Sequence, residues 1–230
     1  MAIDWDATGS MLSGWGSLLG AGATTFGGVA VLIAAKRAAT TFEAWKEQKR
    51  EERRMELAEQ TLALAYRVRN AFAAIRSPAS FGGEHDQARK KLVEGNSIRE
   101  GQDDPVAQRL ITAQIALLRL AFHQKTWDAL AELTPTVKAV FGNALFEQLE
   151  GFWKLQGKVH SAAIIYGRTR ELFDPTREQI IEHNQMQHDL ERSFWAMPME
   201  NEPDEIADSV DAIIDTLETE LAPIIRTAVA

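Results

Sequence analysis

The sequence contains no cysteine, and this absence excludes a disulfide framework, a thiolate metal site and a cysteine nucleophile. Acidic residues outnumber basic ones and give a formal net charge of −8. A chain of this charge disfavours nonspecific binding to nucleic acid, so we expect no nucleic-acid partner. Strand patterns are missing as well, since no segment alternates β-branched and polar residues with a period of two. The sequence therefore predicts an all-α fold.

Charged residues are absent between Ala7 and Ala35. Residues 11–35, rich in glycine and alanine, are long enough to cross a hydrocarbon core of about 30 Å, and we predict a transmembrane helix there. A cleaved signal peptide and a soluble or interfacial helix are the alternatives. A signal peptide needs a positive N-terminal region, whereas the charges before this stretch are those of Asp4 and Asp6. Many glycines would destabilise a soluble helix but are better tolerated in a membrane.

Basic residues follow the uncharged stretch closely: Lys36, Arg37, Lys46, Lys49, Arg50, Arg53 and Arg54. The positive-inside rule then makes residues 1–10 a short extracytoplasmic tail and places residues 36–230 in the cytoplasm. Because cations beside a bilayer attract anionic headgroups, we predict that these side chains contact anionic lipid. Pairing with the acidic C-terminal helix of the same molecule is an alternative role for them.

Small residues recur every four positions within the predicted membrane helix, at Gly16, Gly20, Thr24 and Gly28. Residues four apart lie on one face of a helix, and small residues let two membrane helices approach closely. The stripe therefore predicts self-association or docking to a partner's membrane helix. A plain anchor composed of small residues is the alternative.

Capping residues before proline mark helix starts in the remainder of the chain. These pairs predict helices that begin near 105, 135, 175 and 203: Asp104-Pro105, Thr134-Pro135, Asp174-Pro175 and Glu202-Pro203. An amphipathic pattern from Leu57 predicts a basic juxtamembrane helix over 36–76, which ends before Pro78. Residues 77–104 then form a long polar connection. Residues 105–230 follow as a bundle of four or five helices with an acidic C-terminal helix.

The long connection holds a candidate anion-binding loop, formed by Gly82, Gly83, Arg89 and Lys90. Backbone amides at a Gly-Gly turn, with cations nearby, can hold an anion, although a mobile turn is the alternative. Metal-ligand histidines on a helix would be spaced i, i+4 or occur as Glu-x-x-His, and the five histidines show neither pattern. We therefore predict no catalytic residue, no metal and no cofactor.

A resemblance to a known family lies in the segment from Leu62 to Glu84, which follows a glycine-rich uncharged stretch and a basic helix. This segment resembles an uncharacterised family of small bacterial single-pass membrane proteins with a helical cytoplasmic domain. The resemblance covers the N-terminal third of the chain. It implies a bacterial inner membrane and carries no catalytic residues onto this sequence.

These features predict a membrane-anchored helical interaction or scaffold protein. Its expected partners are membrane lipid and either further copies of itself or another membrane or cytoplasmic protein. One alternative is a membrane-perturbing effector that assembles through its glycine-rich helix. Another is an enzyme or ligand-binding helical domain built around the 81–91 loop.

Overall fold

The computed structural model describes residues 5–79, 82–169, 175–196 and 203–227, and it describes side chains from Ala35 to Arg226 within those ranges. All regular elements in these ranges are helices, which confirms the all-α prediction. The helices are α1 (Trp5–Ile75), α2 (Glu84–Glu94), α3 (Pro105–Phe122), α4 (Gln124–Phe141), α5 (Asn143–Arg168), α6 (Arg177–Phe194) and α7 (Glu205–Thr227). The chain divides into two compact units, residues 1–53 and residues 54–230.

The predicted membrane helix falls in the first half of α1. Among the described residues, no helix combines the length and the apolar character needed to span a bilayer. Side chains 11–34 lie outside the described part of the chain, and so do residues 1–4 of the predicted tail. The transmembrane segment therefore stays a prediction.

An antiparallel bundle is formed by α4, α5, α7 and the part of α1 that belongs to the second unit. Between each neighbouring pair, residue numbers rise along one helix as they fall along the other. Helix α1 contacts α7 through Tyr66–Glu218 and Arg76–Asp204, and it contacts α4 through Arg54–Phe141 and Phe72–Trp127. Helix α5 contacts α4 through Trp127–Trp153 and Lys138–Phe146, and it contacts α7 through Gly151–Ile213 and Lys158–Glu205. The single residue Gly142 connects α4 to α5, whereas α2 and α3 come between α1 and α4, and α6 comes between α5 and α7.

Heptad-like spacing accounts for the core of this bundle. The amphipathic pattern of α1 places six residues on one face, and all are buried: Leu57, Thr61, Leu64, Val68, Ala71 and Ile75. Ile206, Val210, Ile213, Leu217 and Leu221 of α7 are buried as well, as their spacing predicts. Trp127 and Phe152 fill the centre and are 1% and 0% exposed. Full burial of each large apolar side chain contributes roughly 1.5–3 kcal/mol.

The predicted helix start at Asp104 is confirmed, because its Oδ1 accepts a hydrogen bond from the Ala107 amide at 2.8 Å. The start predicted at Thr134-Pro135 is wrong, since Pro135 lies inside α4. Thr134 is buried and its hydroxyl donates to the Leu130 carbonyl at 2.6 Å. Burial of the apolar face of α4 outweighs the local cost of the proline, and the break comes at Gly142, whose φ is +89°.

The starts predicted near 175 and 203 each lie two residues early. α6 begins at Arg177 behind a capping box, in which Thr176 accepts from the Gln179 amide and the Gln179 side chain accepts from the Thr176 amide. α7 begins at Glu205, and Oδ1 of Asp204 accepts from two amides of its first turn. In both places a side chain with a suitable oxygen caps the helix, and the preceding proline stays outside it.

Residues 77–104 differ from the predicted polar connection, because they contain α2. Ala88 and Leu92 of α2, together with Ile98, pack on α3 in a second apolar cluster whose other members include Ile111 and Ile115. The compact unit likewise begins at residue 54 instead of 105. The chain after Arg53 thus forms one compact unit, which includes the end of α1 and the described part of residues 77–104.

Candidate functional site

The first candidate site is the stretch of α1 between Ala35 and Glu51, where every side chain is exposed. Phe42 and Trp45 are 58% and 53% exposed. Their rings stack on one another with centroids 5.8 Å apart and an interplanar angle of 29°. Large exposed aromatic side chains on a helix without packing partners indicate an interaction surface.

Cations precede and follow the aromatic pair along the helix, and their predicted contact with anionic lipid stays a prediction. Lys36, Arg37, Lys46, Lys49, Arg50 and Arg53 are exposed and belong to the first unit. Two of them form ion pairs along the helix, Lys49 with Glu52 at 2.5 Å and Arg50 with Glu47 at 3.3 Å. The hydrogen bond from Lys49 lowers the pKa of Glu52. Arg54 begins the second unit and its guanidinium lies 5.8 Å from the centre of the Phe141 ring.

Pairing of this basic stretch with the acidic C-terminal helix, the alternative role for its cations, stays a prediction. The carboxylates of α7 and of its cap contact Tyr66, Arg69, Arg76 and Lys158. All of these partners belong to the second unit. The predicted packing stripe at Gly16, Gly20, Thr24 and Gly28 lies where side chains are not described, so it stays a prediction.

The structure does not gather the candidate anion-binding residues into one loop. Gly83 has a φ of +89° and immediately precedes α2. Arg89 donates to the Gln102 carbonyl at 2.6 Å and lies 3.4 Å from Asp103. Lys90 is exposed, 3.9 Å from Glu94. Arg89 thus holds the far end of the α2–α3 connection, and the role of the loop in anion binding stays a prediction.

A buried arginine, which sequence reasoning missed, organises this region. Arg119 is 6% exposed and forms a bidentate pair with the Glu84 carboxylate, with N···O distances of 2.9 and 2.7 Å. Its guanidinium also donates to the carbonyls of Ile75, Ser77 and Ala79. One side chain of α3 therefore binds the end of α1 and the start of α2. A lone charge inside the apolar run of α3 was the signal that could have identified it.

A cavity of about 560 Å³ lies beside this ion pair. Its lining includes Ala74, Glu84, Arg119, Phe122 and His123. Phe122 is 84% exposed and meets the His123 imidazole edge-on, with ring centroids 5.3 Å apart. Burial lowers the pKa of His123, which keeps the imidazole neutral at neutral pH. The lining is mainly apolar, and its charged groups are already paired with one another.

A second, polar cavity of about 480 Å³ lies where α6 ends and α7 begins. Arg76 donates to the carbonyls of Arg192 and Ser193 and lies 2.8 Å from Asp204. Burial raises the pKa of Asp204, but the hydrogen bonds and charge of Arg76, with the backbone amides of α7, outweigh burial and hold that pKa below its ordinary value. These bonds connect three helices, so a structural role accounts for them.

Side chains that could bind a metal do not cluster in the described ranges. No group of three or more His, Asp or Glu side chains there is placed to hold a metal ion. The Nε2 atom of His183 lies 2.9 Å from the side-chain nitrogen of Gln187. The guanidinium groups of Arg76 and Arg119 both donate hydrogen bonds to backbone carbonyls elsewhere in the same chain.

Comparison with known proteins adds no relative: no family model matches the chain, and neither a curated protein nor a solved structure shows significant similarity. The class that the described residues define is an all-α protein with an antiparallel helical bundle and an exposed basic-aromatic helix.

Proposed function

We propose that the protein is a membrane-anchored helical interaction protein, which self-associates or recruits a partner at a bacterial inner membrane. In this proposal residues 11–35 span the bilayer, the N-terminus lies outside and the bundle lies in the cytoplasm. The uncharged stretch between Ala7 and Ala35 supports the anchor, and the cations after it support the orientation.

The observation that carries the proposal is the exposure of every side chain from Ala35 to Glu51. A helix in a protein owes most of its stability to the packing of an apolar face. Ion pairs along the helix, such as Arg50 with Glu47, contribute only about 0.2–0.5 kcal/mol each. A stretch of this length therefore needs a surface outside the bundle to pack against, and a membrane or a bound protein supplies one.

Membrane fractionation of the full chain tests the anchor. We expect the protein in the membrane fraction, resistant to extraction by alkaline carbonate and by high salt, because an inserted helix is held by apolar contacts that neither treatment weakens. Release by either treatment would contradict the anchor. Protease protection of an N-terminal tag in intact cells checks the orientation, since the tag should be accessible only from the periplasmic side.

Substitution within the glycine stripe tests self-association. We expect Gly20→Ile to reduce cross-linked oligomers in native membranes, since a large side chain would hold two helices apart. Gly22→Ile is the matched control, because it makes the same chemical change on the opposite face of α1. Equal oligomer yields from the two variants would contradict packing through the stripe. Co-purification from the same membranes identifies a partner protein where one is recruited.

A further inference from the structure

The stacked pair of Phe42 and Trp45 exposes two large apolar rings to solvent in the isolated chain. Both rings belong to the first unit, and every side chain around them from Ala35 to Glu51 is exposed. Burial of aromatic rings of this size is favourable, so contact with another surface that covers them would be stabilising. The arrangement of charges around the pair identifies the kind of surface.

Aromatic and basic side chains share one face of this part of α1. At 100° per residue, the face centred between Phe42 and Trp45 also holds Ala38, Lys46, Lys49, Glu52 and Arg53. Glu52 pairs with Lys49, and three cations against one carboxylate leave this face with a net positive charge. The opposite face holds Glu43, Glu47 and Glu51 together with Lys36 and Arg54, so its net charge is negative.

Trp and Lys or Arg together match the chemistry of a bilayer surface. Indole rings favour the headgroup region, and long cationic side chains extend toward lipid phosphates while their methylenes cover apolar surface. A second copy fits poorly, because a symmetric parallel pair through this face would place Lys49 against Lys49 and Arg53 against Arg53. A negatively charged bilayer is therefore the favoured occupant.

We infer that this face of α1, centred on Phe42 and Trp45, binds anionic lipid headgroups at the inner surface of the bilayer. The inference rests on the proposed membrane anchor. Trp45 lies ten residues past Ala35, about 15 Å along the helix axis. The helix must therefore tilt toward this face, and transmembrane helices tilt by up to about 40°. Contact of this face with the headgroups therefore requires a tilt in one direction and a lipid that carries negative charge.

Tryptophan quenching in nanodiscs tests the inference on the full chain. Nanodiscs of phosphatidylcholine alone are compared with nanodiscs that also contain phosphatidylglycerol, both with lipids brominated near the headgroup. The difference between wild type and Trp45→Phe isolates the signal of Trp45. We expect that signal to be quenched at least about twofold more strongly with phosphatidylglycerol, because each nearby cation strengthens contact with an anionic surface roughly fivefold.

Charge substitutions complete the test. Replacing Lys46, Lys49 and Arg53 with Gln should abolish the additional quenching. The control replaces Arg67, Arg99 and Lys125 with Gln, which removes the same charge from exposed positions of the bundle, and it should leave the quenching unchanged.

The outcomes separate the inference from the proposed function. Incorporation into nanodiscs with Trp45 unquenched, or quenched equally in both lipids, would overturn the inference and leave the anchor intact. Failure of the full chain to enter nanodiscs would overturn both. Quenching that depends on phosphatidylglycerol and on the three cations supports both.

Discussion

Arg119→Met offers a demanding test of how the end of α1 is held. The variant keeps a long side chain of similar reach but removes the guanidinium. It eliminates the bidentate pair with Glu84 and the hydrogen bonds to the carbonyls of Ile75, Ser77 and Ala79. The Glu84 carboxylate, whose side chain is 23% exposed, then lacks its countercharge from α3.

The expected loss of stability follows from this burial. Removal of one partner from a buried ion pair costs about 3–5 kcal/mol, because the other charge stays desolvated. Glu84 is partly accessible to water, which favours the lower end of that range, about 3 kcal/mol. At an m-value of about 2 kcal/mol/M, the midpoint of urea unfolding should fall by roughly 1.5 M.

Urea unfolding of the full chain in mild detergent, followed by tryptophan fluorescence, measures this loss. Trp127 reports on the core, where it is 1% exposed and packs edge-on against Phe72. Arg99→Met is the matched control, since Arg99 is exposed, and its midpoint should correspond to a change within about 0.5 kcal/mol. Addition of Glu84→Gln to Arg119→Met should recover part of the lost stability, because it removes the carboxylate charge that Arg119 balances in the wild type. The reasoning is refuted if Arg119→Met and Arg99→Met unfold at the same urea concentration.

Two further predictions concern glycines and pH. Gly157→Ala should stabilise the protein by about 0.5–1 kcal/mol in urea unfolding, because a Cβ there meets nothing within 4 Å, whereas Gly167→Ala should not, because its Cβ would lie 3.1 Å from the Cβ of Ala113. Burial raises the pKa of Glu191 in the folded protein, so wild-type stability should fall as pH rises from the unfolded-state value through the folded one. Glu191→Gln should therefore be more stable than wild type at pH 7 and lose that advantage toward pH 4.

Local patterns predicted the parts of the fold that local physics decides. The alternating spacing from Leu57 to Ile75 identified the buried face of α1, because an amphipathic helix must turn that face inward wherever its partner lies. Asp104 before Pro105 marked a helix start, because the cap is satisfied by an amide three residues away. Neither inference required knowledge of the tertiary structure.

The same signals failed where tertiary packing outweighed them. Thr134 precedes proline just as Asp104 does, yet it lies on the buried face of α4 and its hydroxyl bonds back to Leu130. Helix α2 has few apolar residues and its sequence is mostly polar, so periodicity could not distinguish it from a connection. It is held by contacts with α3, which no local window contains.

Arg76 and Arg119 show why the candidate sites were the least predictable part. The partners of Arg76 lie more than a hundred residues away along the chain, and those of Arg119 lie 35 to 44 residues away. The Arg119 guanidinium binds carbonyls at the end of α1, and the Arg76 guanidinium binds carbonyls at the end of α6. The last turn of a helix leaves carbonyl groups without partners of its own. A cation at that end is favourable for any helix, but the sequence does not say which arginine supplies it. The basic residues before Arg54 differ in kind, because their side chains remain exposed. The two sets of cations therefore differ in role. The buried arginines, Arg76 and Arg119, hold helices of the bundle together, and the exposed cations before Arg54 are accessible to a surface outside it.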